Sequence, residues 1–374
     1  MTPPIPLRRV GTTGLAVSEL GLGAAPLGNL YEPMSAATAQ AVLESAVSAG
    51  VHYVDTAPFY GFGLSERRVG DGLRGQRSCV ISTKVGRLLL PDSSVHDDSS
   101  RFGFRSNLPF KPVFDYSHDA ILRSWEASLQ RLGLARVDLL YVHDVGVATH
   151  GAAQPAMWRQ LTVGGGFRAL QRLRDEGAIS GFGLGGNEIA VCLEAMNTTR
   201  FDVLLLAGRY TLLEQGALDE LLPRAKAAGT AVIVGGPYNS GILAVGTRSK
   251  TPLLYNYAPA PADVIARVAR IEAVCERHAV RLAAAALQFP LAHPQVASVI
   301  PGIASVAQLF DTLRLYRMTI PPRFWEDLKS EGLLRDDAAV PSPERSQPST
   351  SPSRSPSPSP SPSTPTPPPR GFTR

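Results

Sequence analysis

The chain has 374 residues, 44% of them hydrophobic, enough to bury a large core as one domain or two. Its formal charge is +5, but the four arginines and one glutamate from Pro341 onward supply +3 of this, leaving +2 for the first 340 residues. That balance excludes a nucleic-acid groove, which needs a clustered cationic face.

The N-terminus, MTPPIPLRRVGTTG, lacks an apolar signal core. Residues 7 to 19, LRRVGTTGLAVSE, place two short runs around a Thr-Gly turn, which predicts a β-hairpin capping one mouth of whatever follows. Eight strand-like runs then come in order: SELGLG, HYVDTA, CVISTKV, VDLLYVH, ISGFGLG, FDVLLLAG, TAVIVGG and VASVIPG. They are almost continuously apolar, as parallel strands buried on both faces are. Helix-like stretches such as SAATAQAVLESAVSAG, SHDAILRSWEASLQRLG and FRALQRLRDEGA separate most of them. Eight βα units over this length predict an α/β protein with a closed (β/α)8 barrel, ahead of an open doubly wound sheet.

Three connections exceed a simple βα turn, at about 87–116, 144–166 and 237–261. All follow strands, so all rise from one face, and loops of that length are usually lids or binding elements. The first, with Arg101, Phe102, Phe104, Arg105, Phe110 and Phe114, reads as an aromatic, basic cover over a substrate. From about residue 336 the chain turns to Pro, Ser and Thr, with SPSPSPSPSTPTPPP at its centre. Such a composition buries no core, so the domains are expected at 1–335 (barrel) and 336–374 (disordered tail). The tail's Ser-Pro repeats and PTPPPR offer weak protein contacts at most.

No apolar run approaches the roughly 18 residues of a membrane helix. Cys79, Cys192 and Cys275 form no CxxC, so a reduced, cytoplasmic setting is the simplest reading. GFGLGG, Gly181 to Gly186, fits the dinucleotide pattern GxGxxG, but it lies midway through the βα series rather than at its first unit. The histidines show no metal-ligand spacing, and no metal is expected.

Four polar residues stand at or just beyond the ends of successive strand runs: Asp55 in HYVDTA, Tyr60 in the following turn, Lys84 in CVISTKV and His143 in VDLLYVHD. A lone tyrosine in a turn or a lone histidine after a strand is usually structural. Joint placement on the end where barrels build their sites is what sets these apart. A phenol has a pKa of about 10. A buried ammonium lowers it, a carboxylate holds the ammonium, and an imidazole orients a substrate oxygen, which is what carbonyl or alcohol redox chemistry requires.

With DTAPFYGFGLSERRVGDGLR, STKVGR, RSWEASLQRLGLARVDLLYVHD, GAISGFGLGGNE and VIPGIASVAQL, the chain resembles the aldo-keto reductase family over about residues 7 to 332. The resemblance implies a barrel that binds a nicotinamide dinucleotide without a Rossmann fold. It implies Tyr60 as general acid/base, Lys84 and Asp55 as its tuning pair, and His143 as the substrate-orienting group. It also implies cofactor contacts from Asn187, from Gly236, Pro237, Tyr238, Asn239, Ser240 and Gly241, and from Pro301, Gly302, Ser305, Gln308 and Asp311.

The chain departs from the family at Ala207 and Gly235, where the family has a glutamine and an aromatic residue, so Arg209, Tyr210 or Tyr238 are expected to help hold the nicotinamide. Gly302 and Gln308 stand where NADP-using relatives carry cations, and Ile303 and Ala304 are uncharged, so NAD is expected over NADP. Within the family the D-threo-aldose 1-dehydrogenase group looks most similar, including L-fucose and L-galactose dehydrogenases, with pyridoxal 4-dehydrogenase nearby. Oxidation of C1 of an aldose to its lactone is therefore the expected reaction. Pyridoxal oxidation, NADPH-dependent reduction of aldehydes, or a cofactor-sensing subunit are the alternatives. Arg101, Asp144 and Trp158 are candidate contacts for the small-molecule substrate.

Overall fold

The computed structural model describes residues 3–342 apart from Arg77. Eight parallel strands run in chain order around a barrel: β1 (Leu22–Gly23), β2 (Tyr53–Asp55), β3 (Val80–Val85), β4 (Leu139–His143), β5 (Gly181–Gly186), β6 (Val203–Ala207), β7 (Ala231–Gly235) and β8 (Val296–Ile300). Each lies inside one of the runs read from the sequence, except that β5 ends one residue beyond its run, at Gly186. Parallel bridges Leu20–Val299 and Gly23–Gly302 join β1 to β8, with Gly21 N–H on Val299 O at 3.0 Å and Gly23 N–H on Pro301 O at 2.9 Å. The sheet is therefore closed, and the open doubly wound alternative is excluded.

Period-2 alternation divides the strand side chains between two cores. Tyr53, Val80, Leu139, Tyr141, Val203, Leu205, Ala231, Ile233, Ala297 and Ile300 fill the barrel interior. Their neighbours, including Val54, Ile81, Leu140, Leu184 and Val234, face the helices. Strands Leu7–Arg9 and Ala16–Ser18 pair antiparallel, and Val10 and Val17 insert into the interior core. The hairpin thus plugs the N-terminal mouth, as expected.

The outer ring includes α1 (Ala36–Ser48), α2 (Leu64–Leu73), α3 (His118–Leu132), α4 (Gly166–Asp175), α5 (Ile189–Met196), α6 (Leu221–Ala228), α7 (Ala262–Arg277) and α8 (Val306–Arg317). Ser35 and Ser305 cap α1 and α8, each hydroxyl accepting a hydrogen bond from the backbone N–H three residues on. No described helix is long and apolar enough to cross a membrane.

GFGLGG is the whole of β5, a barrel strand and not a phosphate-binding turn. Its glycines answer to packing. A Cβ on Gly183 would lie 1.5 Å from Val203 O, one on Gly181 would meet Thr13 and Asp202, and one on Gly185 would lie 3.2 Å from Tyr141 Cβ. Gly186 has nothing closer than Asp144 Oδ1 at 3.5 Å. Gly183→Ala should therefore force β5 and β6 apart, at a cost of about 1–3 kcal/mol or more in a denaturant titration. Gly186→Ala should stay within about 0.5 kcal/mol of the parent. Equal midpoints for the two variants would contradict this packing argument.

The long connections are built rather than irregular. In the first, Arg87–Pro91 pairs with Phe110–Phe114, and Ser100–Arg101 pairs with Phe104–Arg105. The second contains helices Val147–His150 and Gln154–Leu161, and the third ends in a hairpin of Leu254–Tyr255 and Ala258–Pro259. Packing continues past residue 335, since Ala338 is buried. The expected disorder and contacts of the tail fall on residues 343–374, outside the described residues.

Candidate active site

Strand ends bring the four polar residues together. Asp55 closes β2, Lys84 is the penultimate residue of β3, and His143 closes β4. Lys84 Nζ lies 2.6 Å from Asp55 Oδ2 and donates to Thr56 O at 2.9 Å. It also stands 4.6 Å from the centroid of the Tyr60 ring, which is edge-on to the His143 imidazole at 5.9 Å between centroids.

Tyr60 reaches this position because its turn packs against the short turn Pro26–Gly28. A Cβ on Gly61 would sit 2.3 Å from Gly28 O, and one on Gly28 would sit 2.6 Å from Tyr60 C. Gly61 also has φ +64°, a backbone region glycine adopts without cost.

Burial sets the electrostatics. It pushes the Tyr60 phenol upward, and Lys84 offsets only part of that push, so the net direction is up. The sequence reading, with the ammonium dominant, had the opposite net direction. Burial alone would lower Lys84, but Asp55 and Tyr60 raise it and the balance is upward, so it stays an ammonium. Burial raises the Asp55 carboxyl against the pull of Lys84 and Ser82, and the contact is held as an ion pair. Burial, reinforced by Arg87 and Lys84, drives His143 well below its usual range, so the imidazole is neutral at pH 7.

These groups open into a cavity of about 410 Å³, within the usual range for small-molecule sites. Its aromatic wall includes Tyr31, Phe59, Phe102, Phe104 and Tyr257. Phe102 with Gly103, and Asn256 with Tyr257, each form a two-residue hairpin loop with both φ values positive. That geometry marks a type I′ turn. Two hairpin tips from separate connections thus each present an aromatic ring at the cavity.

Arg87 also lines the cavity and pairs with Asp144. Its guanidinium lies 4.4 Å from the centroid of Phe59 and 5.0 Å from that of Phe114. Asp144 is in the left-handed region at φ +47°, with Oδ2 3.4 Å from His143 Nε2. Non-glycine residues held in that region cluster at functional sites. Sequence reading singled out neither Arg87 nor the aromatic set with Tyr31, Phe59 and Tyr257, because they come from four separated segments.

The remaining candidates divide. Asn187, Gly185, Gly186 and Ala207 line the same cavity, and the Asn187 amide makes no hydrogen bond to another described side chain or backbone group. Arg209 is drawn back, donating to Asn187 O at 2.7 Å and Asn256 Oδ1 at 2.9 Å. Tyr210 is fully buried against Phe289, turned into the core rather than toward the cavity. Arg101 spends its guanidinium on the carbonyls of Ser106, Leu108 and Phe110, and Trp158 packs on Phe167. Arg101 and Trp158 therefore support the scaffold and do not reach the cavity.

Gly236, Pro237, Tyr238, Asn239, Ser240 and Gly241 follow β7, where a Cβ on Gly241 would meet nothing within 4 Å and one on Gly236 nothing closer than 3.7 Å. Asn239 holds this turn to the end of β6, accepting from Thr211 Oγ1 at 2.6 Å and donating to Gly208 O at 3.1 Å. Pro301 and Gly302 follow β8, Ser305 caps α8, Gln308 lies in its first turn and Asp311 near its middle. Arg281 and Arg314 both stand on Asp311, at 3.0 and 2.5 Å, and burial, reinforced by Asp311 and opposed by Arg281, pushes the Tyr238 phenol upward.

The profile of the aldo/keto reductase family matches residues 19–331. The chain is 46% identical to pyridoxal 4-dehydrogenase of Microbacterium luteolum, over 87% of this chain and 97% of the relative. It is 38% identical to D-threo-aldose 1-dehydrogenase of a Pseudomonas species, over 86% of this chain and 96% of the relative. Among solved structures, the holo form of an aldo-keto reductase from Bacillus halodurans aligns with TM-score 0.67 and 25% identity, covering 91% of this chain and 99% of that one.

Proposed function

The chain belongs to the aldo/keto reductase family, and from that premise we propose that it oxidises a cyclic hemiacetal to a lactone with NAD+, pyridoxal in its hemiacetal form being the favoured substrate. Pyridoxal and the aldoses named for its relatives share that functional group. The observation that carries the choice between them is the cavity wall. Rings from Tyr31, Phe59, Phe102, Phe104 and Tyr257 suit a flat aromatic heterocycle. A polyhydroxylated sugar would need a hydrogen-bond partner for each hydroxyl, and the polar groups at this cavity are largely engaged with one another.

In this reading Tyr60 takes the proton of the hemiacetal hydroxyl, with Lys84 favouring the phenolate and Asp55 holding Lys84 in place. Neutral His143 hydrogen-bonds the same oxygen without adding charge. Arg87, held by Asp144 and lying over the Phe59 ring, borders the substrate on that side. Asn187 and the floor of Gly185, Gly186 and Ala207 fit a nicotinamide, with the open glycine turn after β7 and the start of α8 along the rest of the dinucleotide. The cofactor, when bound, supplies the acceptor for the hydride leaving the substrate carbon.

Purified protein should show a kcat/KM for pyridoxal at least tenfold above those for L-fucose, L-galactose and D-arabinose with NAD+. A sugar equal to or better than pyridoxal would overturn the aromatic-wall argument and restore the aldose. NAD is proposed over NADP because Asp311 engages both Arg281 and Arg314 and cancels one of their two charges. Asp311→Ala should free both guanidinium groups for a 2′-phosphate and move the NADP-to-NAD ratio of kcat/KM upward by about tenfold, one good ion pair's worth. An unchanged ratio would remove that pair from the account of cofactor choice.

A further inference from the structure

Behind the Lys84–Asp55 pair, on the side away from the cavity, three hydroxyls are sealed inside the barrel. Ser82 on β3, Tyr53 on β2 and Tyr141 on β4 are each 0% exposed. Ser82 Oγ donates to Asp55 Oδ1 at 2.7 Å. Tyr53 Oη lies 2.9 Å from Ser82 Oγ and 3.1 Å from Tyr141 Oη.

A hydroxyl carries one proton. Ser82 spends its proton on the carboxylate, so it accepts from Tyr53. Tyr53 thereby spends its own and accepts from Tyr141. The three dipoles are forced head to tail, all aimed at Asp55, and such chains polarise one another in a low-dielectric interior. Gly185 makes room for the last member, since a Cβ there would press on Tyr141 Cβ at 3.2 Å.

We propose that Ser82, Tyr53 and Tyr141 form a one-way hydrogen-bond relay that holds Asp55 as a carboxylate and so tunes the acidity of Tyr60 through Lys84. They are positioning residues, touching neither substrate nor cofactor. The proposal rests on the reading of Tyr60 as the acid–base group. Removing a donor from the chain leaves Asp55 a poorer anion that draws more of the Lys84 proton and exposes more negative charge to Tyr60. Both effects act against the phenolate, so the direction of the shift is fixed: upward.

The test is the pH dependence of kcat for oxidation by the full chain and by Ser82→Ala, Tyr53→Phe and Tyr141→Phe. Activity should require a deprotonated group whose apparent pKa rises by about 0.5 to 1 unit in Ser82→Ala, less in Tyr53→Phe and least in Tyr141→Phe. The two Tyr→Phe changes remove a single oxygen and keep the ring, so they carry the test if Ser82→Ala fails to fold. Phenolate absorbance of the cofactor-free proteins, each corrected by its Tyr60→Phe counterpart, should give the same order. A purely structural role would lower stability or kcat and leave both titrations where they were. A limb lost in Tyr60→Phe but unmoved in the three variants would overturn the relay alone. A limb that persists in Tyr60→Phe would overturn the acid–base reading and the relay with it.

Discussion

Tyr60→Phe is expected to lower turnover by about 10²- to 10⁴-fold, the usual contribution of a positioned acid–base group, with cofactor affinity nearly unchanged. The substitution removes one oxygen. Phenylalanine keeps the ring that lies near Phe104 and His143, at 5.9 Å from each, so the cavity should keep its shape. What disappears is a titratable hydroxyl that borders both Lys84 and the cavity. The checks are steady-state kinetics with NAD+ and a binding titration of the cofactor. Turnover within a few-fold of the parent would sink the assignment. A parallel loss of cofactor binding would mean that the hydroxyl serves cofactor binding and not proton transfer alone.

Lys84→Met should give the largest loss of stability, about 3–5 kcal/mol, because it leaves a buried carboxylate without its cation. The side chains of Lys84 and Asp55 are only 2% and 3% exposed, so water cannot replace the partner. The loss should depend on pH. Burial already raises the Asp55 carboxyl, and without Lys84 it rises further. A group whose folded pKa lies above its unfolded value, about 3.9 for aspartate, costs nothing when protonated in both states and costs progressively more as pH increases. Denaturant midpoints should therefore fall further behind the parent at pH 7 than at low pH. Lys84→Met with Asp55→Asn, which removes both charges and keeps an acceptor for Ser82, should recover most of the stability and none of the turnover. Recovery of both would show that the pair is purely structural. A pH-independent loss in the single variant would show that Asp55 does not titrate as proposed.

Strand order and barrel closure were legible because each strand is a short apolar run and the units repeat in order. The meeting of the four candidate residues was legible for a related reason: three of the four sit at strand ends, where chain position fixes spatial position. The cavity wall was not. Tyr31, Phe59, Phe102 and Tyr257 become neighbours only through the geometry of four separate βα connections, and two of them depend on tight turns at Phe102–Gly103 and Asn256–Tyr257 that carry no strong turn signature. Arg101 and Trp158 looked available from their position in those connections. They proved committed to holding them, because buried backbone carbonyls need donors and an exposed aromatic ring needs cover. The Arg281–Asp311 contact joins residues thirty positions apart on two helices, beyond any local pattern.

The most direct test of the account is the absorbance of reduced cofactor when the full chain is mixed with NAD+ and pyridoxal, beside NADP+ and the aldoses as comparisons. The account predicts steady NADH formation with pyridoxal, abolished in Tyr60→Phe, and a lactone as the product. No signal with any hemiacetal, together with NADPH consumption by simple open-chain aldehydes, would contradict it and make the protein a reductase.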